Sequence, residues 1–166
     1  SSYIGTNLER LSKELKKLKS LIRPDETIDE DLIEKYVGIS KKFNNFELQK
    51  AIGLGKFSLA FRIIQYLNRN QKAYPLILTL SSLHSYFMKL LLLKGIESPK
   101  YSLNSIGISP YFLEEYKAAA RRFNMRQIIS AMGYIFEADL KSKGIKGDNL
   151  ESKEILETLL LRLFAL

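Results

Sequence analysis

Apolar residues recur every three or four positions along nearly the whole chain, the spacing of helices with one buried side. Leu8, Leu11, Leu15, Leu18 and Ile22 form the first such stripe. Thr6 and Glu9 stand in capping-box spacing ahead of it, Glu9–Lys13 and Arg10–Glu14 are i,i+4 pairs on its polar side, and Pro24 stops it. Thr27 and Glu30 repeat the capping box before Leu32, Ile33, Tyr36 and Val37, and Gly38 ends that helix. Asn44 or Asn45 then caps a third helix carrying Phe46, Leu48, Ala51 and Ile52.

The period continues downstream. Residues 56–70 place Phe57, Ala60, Ile63, Ile64 and Leu67 on one side. Pro75 opens a long helix to Lys94, closed by Gly95; apolar residues cover so much of its circumference that it is expected to be the central, most buried helix. A short helix is expected over Leu103–Ile106, followed by a turn at Gly107. Pro110 then starts a helix to Arg122, with Phe112, Leu113, Tyr116 and Ala120 inward. Asn124 caps the next, which runs to about Lys143 with Ile128, Ile129, Met132, Ile135, Phe136 and Leu140 inward. Gly144, Gly147, Asp148 and Asn149 make a loop, and residues 151–163 form the last helix. No segment alternates apolar and polar residues between turn signals, so no strand is expected. The fold class is all-α.

Charge divides the chain. Residues 1–49 hold nine Lys/Arg and nine Asp/Glu, whereas residues 50–166 hold seventeen and nine and so carry the whole net charge of +8. The helical pattern restarts at the same place, which puts a boundary near Phe43–Gln49. Residues 1–45 read as a small three-helix domain and residues 46–166 as a helical bundle. A positive bundle favours acidic or polyanionic partners.

Composition excludes several chemistries. The absence of Cys removes disulfides, thiolate nucleophiles, zinc knuckles and iron–sulfur ligation, and makes an intracellular setting the expectation. A single His leaves no His-rich metal site. The most apolar stretch, residues 77–93, carries Ser81, Ser82, His84, Ser85 and Lys89 and is not expected to span a membrane. The opening SSYIGTNLERLSKELKKLK is not a signal peptide; it has no initiator Met and begins in a helix, as a piece of a longer chain would.

Catalytic and cofactor motifs are missing. The nearest thing to a phosphate loop is AIGLGKFS, Ala51–Ser58, whose glycines separate two helices and read as a plain turn. The acids Asp25, Glu26, Asp29, Glu30, Asp31 and Glu34 suit helix N-termini, and so do Glu114 and Glu115. Glu137 and Asp139 point in different directions and are expected to pair with Lys141 and Lys143. His84 has no acidic residue between Leu76 and Lys94 to orient it, and is expected to be a buried or interfacial histidine making one hydrogen bond. No catalytic residue, metal or cofactor is expected.

Binding features are of two kinds. Arg121, Arg122 and Arg126 cluster around one turn, and Lys141, Lys143 and Lys146 around a helix end; both are candidate phosphate contacts. Residues 102–123 have the outline of a helix-turn-helix, and sequence-specific DNA binding is the alternative function. Glu114 and Glu115 in the first turn of its reading helix oppose phosphate. Leu156, Leu159, Leu160, Leu163, Phe164 and Leu166 make the last helix so apolar that a subunit interface is expected there.

The stretches NLERLSKELKKL (7–18), TIDEDLIEKYVG (27–38), FELQKAIGLGKFSLAFRIIQYL (46–67), YPLILTLSSLHSYFMKLLLLKG (74–95), IGISPYFLEEYKAAARRF (106–123) and LKSKGIKGDNLESKEILETLLLRL (140–163) together resemble the C-terminal part of the delta subunits of bacterial DNA polymerase III clamp loaders. The resemblance implies a lid domain over residues 1–45 and a collar domain over residues 46–166. The collar would pack with those of the other clamp-loader subunits into a five-membered ring around primer–template DNA. The resemblance also implies a degenerate ATPase-like α/β domain upstream. That absent N-terminal domain would be the part that meets the sliding clamp. This piece would have no ATP site and no catalytic position, within a parent holoenzyme that is a DNA-directed DNA polymerase, a nucleotidyltransferase of the bacterial cytoplasm.

Overall fold

The structure is a computed structural model that describes residues 42–95, 106–145 and 150–166, together with residues 12, 13, 15, 16, 19 and 20. The fold is all-α. Six bounded helices lie among the described residues: α1 (Asn45–Gly53), α2 (Phe57–Arg69), α3 (Leu76–Gly95), α4 (Leu113–Arg122), α5 (Met125–Ser142) and α6 (Ser152–Phe164). A 3-10 turn, Pro110–Phe112, leads into α4. The six residues described between 12 and 20 are helical too. The second predicted helix, residues 27–38, lies outside the described residues, as does all of residues 103–106 except the buried Ile106.

Local chemistry sets the ends. Asn44 caps α1 by accepting from the Phe46 and Glu47 amides at 2.9 and 3.1 Å. Gly55, at φ +71°, reverses the chain after α1, a conformation that a residue with a Cβ adopts only at a cost. Asn124 and Gln127 form a reciprocal capping box on α5, and Glu151 and Glu154 form one on α6.

The helices pack in antiparallel neighbours. Phe57 meets Phe164 edge-on at 5.1 Å, and Gln65 donates to Glu157 at 2.6 Å, so α2 and α6 run oppositely. Arg162 donates to Glu137 at 2.5 Å and Gln127 donates to the Leu166 carbonyl, so α5 and α6 do as well. One core joins Leu48, Ile52, Ile63, Ile64, Leu67, Leu83, Phe87, Leu90, Phe123, Ile128, Leu156 and Leu163. At its centre the Phe87 ring is T-shaped to Phe123, with centroids 5.5 Å apart. The third helix of the expected N-terminal unit, α1, belongs to this bundle, since it packs on α2, α3 and α4 and buries Leu48, Ala51 and Ile52.

Several burial expectations are corrected. Leu15, placed on a buried stripe, is 43% exposed. Phe46 and Phe57 are more exposed than the pattern implied. On α5 the buried face is Ile128, Ala131, Ile135 and Ala138, while Ile129 and Phe136 stand 58% and 61% exposed. On α4 Ala119, not its neighbour Ala120, is fully buried. On α5 the reason is helical spacing: Ile129 and Phe136 lie two positions from Ala131 and Ala138, about 200° round the axis, and so face away from the side on which those alanines let neighbouring helices approach. The long helix α3 contacts α1, α4 and α5, yet only one side is buried. Ile77, Leu78, Ser81, His84, Ser85 and Leu92 face out, so His84 is exposed rather than buried. Contrary to the expectation for this stretch, α3 is by length and composition long and apolar enough to cross a membrane.

Candidate functional surfaces

The two predicted basic groups do not form one patch. They sit at opposite ends of α5, with Arg126 in its first turn and Lys141 in its last, about 22 Å apart along the axis. Arg121, Arg122 and Arg126 are all exposed. Arg122 is engaged within the fold: its Nη1 donates to the Ile52 carbonyl at 2.6 Å, and the guanidinium lies over the Phe123 and Phe164 rings at 4.8 and 5.4 Å. It also lies alongside Gly55, where a Cβ would come within 3.1 Å of Nε. A cation on the last carbonyls of a helix is favoured by the dipole, so Arg122 closes α1 from another helix. At the far end Lys143 is paired with Asp139 at 2.6 Å, as the spacing predicts, while Glu137 bonds to Arg162 rather than to Lys141. Lys146 lies outside the described residues.

The expected leucine interface is corrected. Leu156, Leu159, Leu160 and Leu163 are only 1–3% exposed and belong to this chain's own core. Phe164 is half-buried beneath Arg122 and against Phe57, and Leu166 is packed against the core. Leu161 is the residue of that helix that turns its apolar side chain outward. A helix this apolar is explained by its place between α2 and α5.

A groove of about 520 Å³ opens between α1, α3 and α4, lined by Phe46, Lys50, Tyr86, Lys89, Tyr111 and Glu115 among others. Nothing in the linear sequence announces it, because its walls come from three separate segments. Lys50 donates to Glu115 at 2.5 Å, which fastens α1 to α4 and lifts the ammonium above its ordinary value. Lys89 donates to the Gly107 carbonyl at 2.8 Å. The groove therefore balances two cations against Glu47 and Glu115. Glu115, a first-turn acid as expected, is tied to Lys50, and Glu114 is tied to Lys117 at 2.8 Å. The Lys117 hydrogen bond, with Arg121 adding to it, holds the Glu114 carboxyl below the usual range. The helix that the helix-turn-helix alternative would set against DNA thus opens on two carboxylates, each tied to a lysine.

The Tyr86 hydroxyl at the groove floor occupies the space over Gly53, where a Cβ would come within 2.1 Å of it and 2.9 Å of the Ala119 Cβ. Burial raises its pKa and so suppresses its ionisation, with Tyr116 and Glu115 adding to the effect. A raised tyrosine pKa means that the unfolded chain releases this proton first. Stability is therefore unaffected by this group below about pH 10 and declines above it, as the unfolded state ionises. Tyr86→Phe is expected to flatten the alkaline fall in urea-unfolding free energy measured between neutral pH and pH ~11. An equally steep fall in the variant would assign the slope to other groups.

Among the described residues no group of three or more His, Asp or Glu is disposed to hold a metal ion. The chain matches no protein-family model, and no curated protein matches it.

Proposed function

We propose that this chain is a non-catalytic assembly module, the lid and collar part of a clamp-loader delta-type subunit in the bacterial cytoplasm. Its partners are the other clamp-loader subunits and, in the assembled complex, primer–template DNA. The observation that carries the reading is the combination of a completed core with large apolar side chains left outside it. Ile77, Leu78 and Leu92 on α3, and Ile129 and Phe136 on α5, are solvent-exposed although the interior is already filled by other residues. Exposed apolar faces on a well-packed bundle are the mark of a protein-binding surface. The order of the helices supports the reading, since α1 to α4 and α6 fall largely on the stretches that carry the resemblance. The net charge of +8 suits a complex that surrounds DNA.

In this reading the module holds neighbouring subunits in order, and the chemistry of loading lies with the ATP-hydrolysing subunits. The test is a pull-down of the chain with the other clamp-loader subunits. Retention of the ATP-hydrolysing subunits, reduced by Ile129→Ser together with Phe136→Ser, is the expected result. Failure of the unaltered chain to retain any of them would sink the proposal.

A further inference from the structure

The antiparallel packing gathers two chain reversals, the α1–α2 turn and the α4–α5 turn, and the end of α6 at one end of the bundle. Arg122 ties them together through the Ile52 carbonyl and the Phe123 and Phe164 rings. Around this hub stand Lys56, Arg121 and Arg126, all exposed. No Asp or Glu occurs in the last turn of α1, the first turn of α2, the α4–α5 junction or the last turn of α6. The closest acid along α4 is Glu115, nearly two turns back and already bonded to Lys50.

Large apolar side chains stand among these cations. Leu54, Phe57 and Met125 are 38%, 39% and 41% exposed, and each is within two residues of a cation of the cluster. Nucleic-acid surfaces are polar and charged, and phosphates would gain nothing by desolvating a Leu, a Phe and a Met. Protein interfaces, by contrast, are enriched in aromatic residues, Met and Arg, and their cations meet carboxylates at a polar rim. Two of the three cations around the Arg122 hub are arginines, whose planar fork matches a carboxylate bidentately.

We infer that this end of the bundle docks a protein partner that presents carboxylates around an apolar patch. The inference rests on the assembly reading but assigns Arg121 and Arg126 to protein carboxylates instead of DNA phosphates, and adds Lys56, Leu54, Phe57 and Met125 to the surface. Opposite charge steers the encounter, and the apolar residues hold the complex once water has left.

The probe is a fluorescein-labelled amphipathic peptide of about 20 residues, with leucines on one helical face and glutamates on the other, titrated with the full chain by anisotropy. The unaltered chain is expected to bind it, more weakly as salt rises. Arg121→Glu with Arg126→Glu should weaken binding about tenfold or more, and Met125→Ser should weaken it with the salt dependence intact. Both variants alter exposed side chains, and thermal melts coincident with the unaltered chain establish that they fold. Peptide affinity unchanged by the charge reversal overturns the inference. So does binding of a DNA duplex or a phosphatidylserine vesicle, lost in the same variant, while the peptide does not bind. The pull-down separates the two proposals. Subunits retained equally by the unaltered and charge-reversed chains leave assembly standing and remove this surface. Peptide binding that depends on the cations, with no subunit retained, supports the surface and removes the clamp-loader assignment.

Discussion

Truncating Phe87 to alanine is expected to lower the unfolding free energy by about 3–5 kcal/mol. Phe87 is fully buried, and its ring meets Phe123 and Tyr86 at 5.5 Å in edge-to-face geometry. The variant loses the transfer free energy of the ring, the two aromatic contacts, and the packing of a cavity that the surrounding helices cannot collapse. Those helices are already held at short separation by alanines: Ala119 on α4, and Ala131 and Ala138 on α5. Leu78→Ala on the outward face of α3 is the matched control and is expected to change stability by less than about 0.5 kcal/mol. Urea unfolding of both variants provides the comparison. Equal losses would mean that α3 is buried on both sides in solution.

The second large effect is expected at Arg122. Replacing it by alanine removes a charge-assisted hydrogen bond to the Ile52 carbonyl and the stacking on Phe123 and Phe164. Because the side chain is partly open to water, the expected cost is about 2 kcal/mol rather than the sum of its contacts. Arg126→Ala, in the first turn of α5 and exposed, is expected to leave the thermal midpoint unchanged. A lysine at 122 should restore only part of the loss, since a point charge can reach the carbonyl but cannot lie flat on two rings. Thermal melts of the three variants would show whether Arg122 acts in the fold. If Arg122→Ala melted with the unaltered chain, its bonds would contribute nothing and the residue would return to the pool of free surface cations.

What the linear pattern reveals most directly is the set of helices. The Asn44 and Asn124 caps, the turn at Gly53–Gly55 and the break after Arg122 are local events, decided by a few neighbouring residues. Pairings within one helix are legible in the same way, as Lys143–Asp139 shows. Pairings between helices are not. Glu137 has Lys141 one turn away but bonds to Arg162 on α6, because the antiparallel packing of α5 and α6 brings that guanidinium within 2.5 Å and lays it over Tyr134 at 3.8 Å. The groove lined by Lys50, Tyr86 and Glu115 is invisible for the same reason.

The sequence alone determined that the described residues are helical, where the described helices begin and stop to within a few residues, and that the positive charge lies in residues 50–166, since each depends on residues a few positions apart or on simple addition. Only the tertiary structure decided which apolar residues are core. Leucines of α6 that looked like a surface for another subunit are enclosed between α2 and α5, whereas Ile129 and Phe136 are left outside because Ala131 and Ala138 take the tight side of α5. Hydrophobic periodicity reports that a helix has an apolar side, but small and large residues on that side compete for the interior, and the distance to the neighbouring helix selects between them.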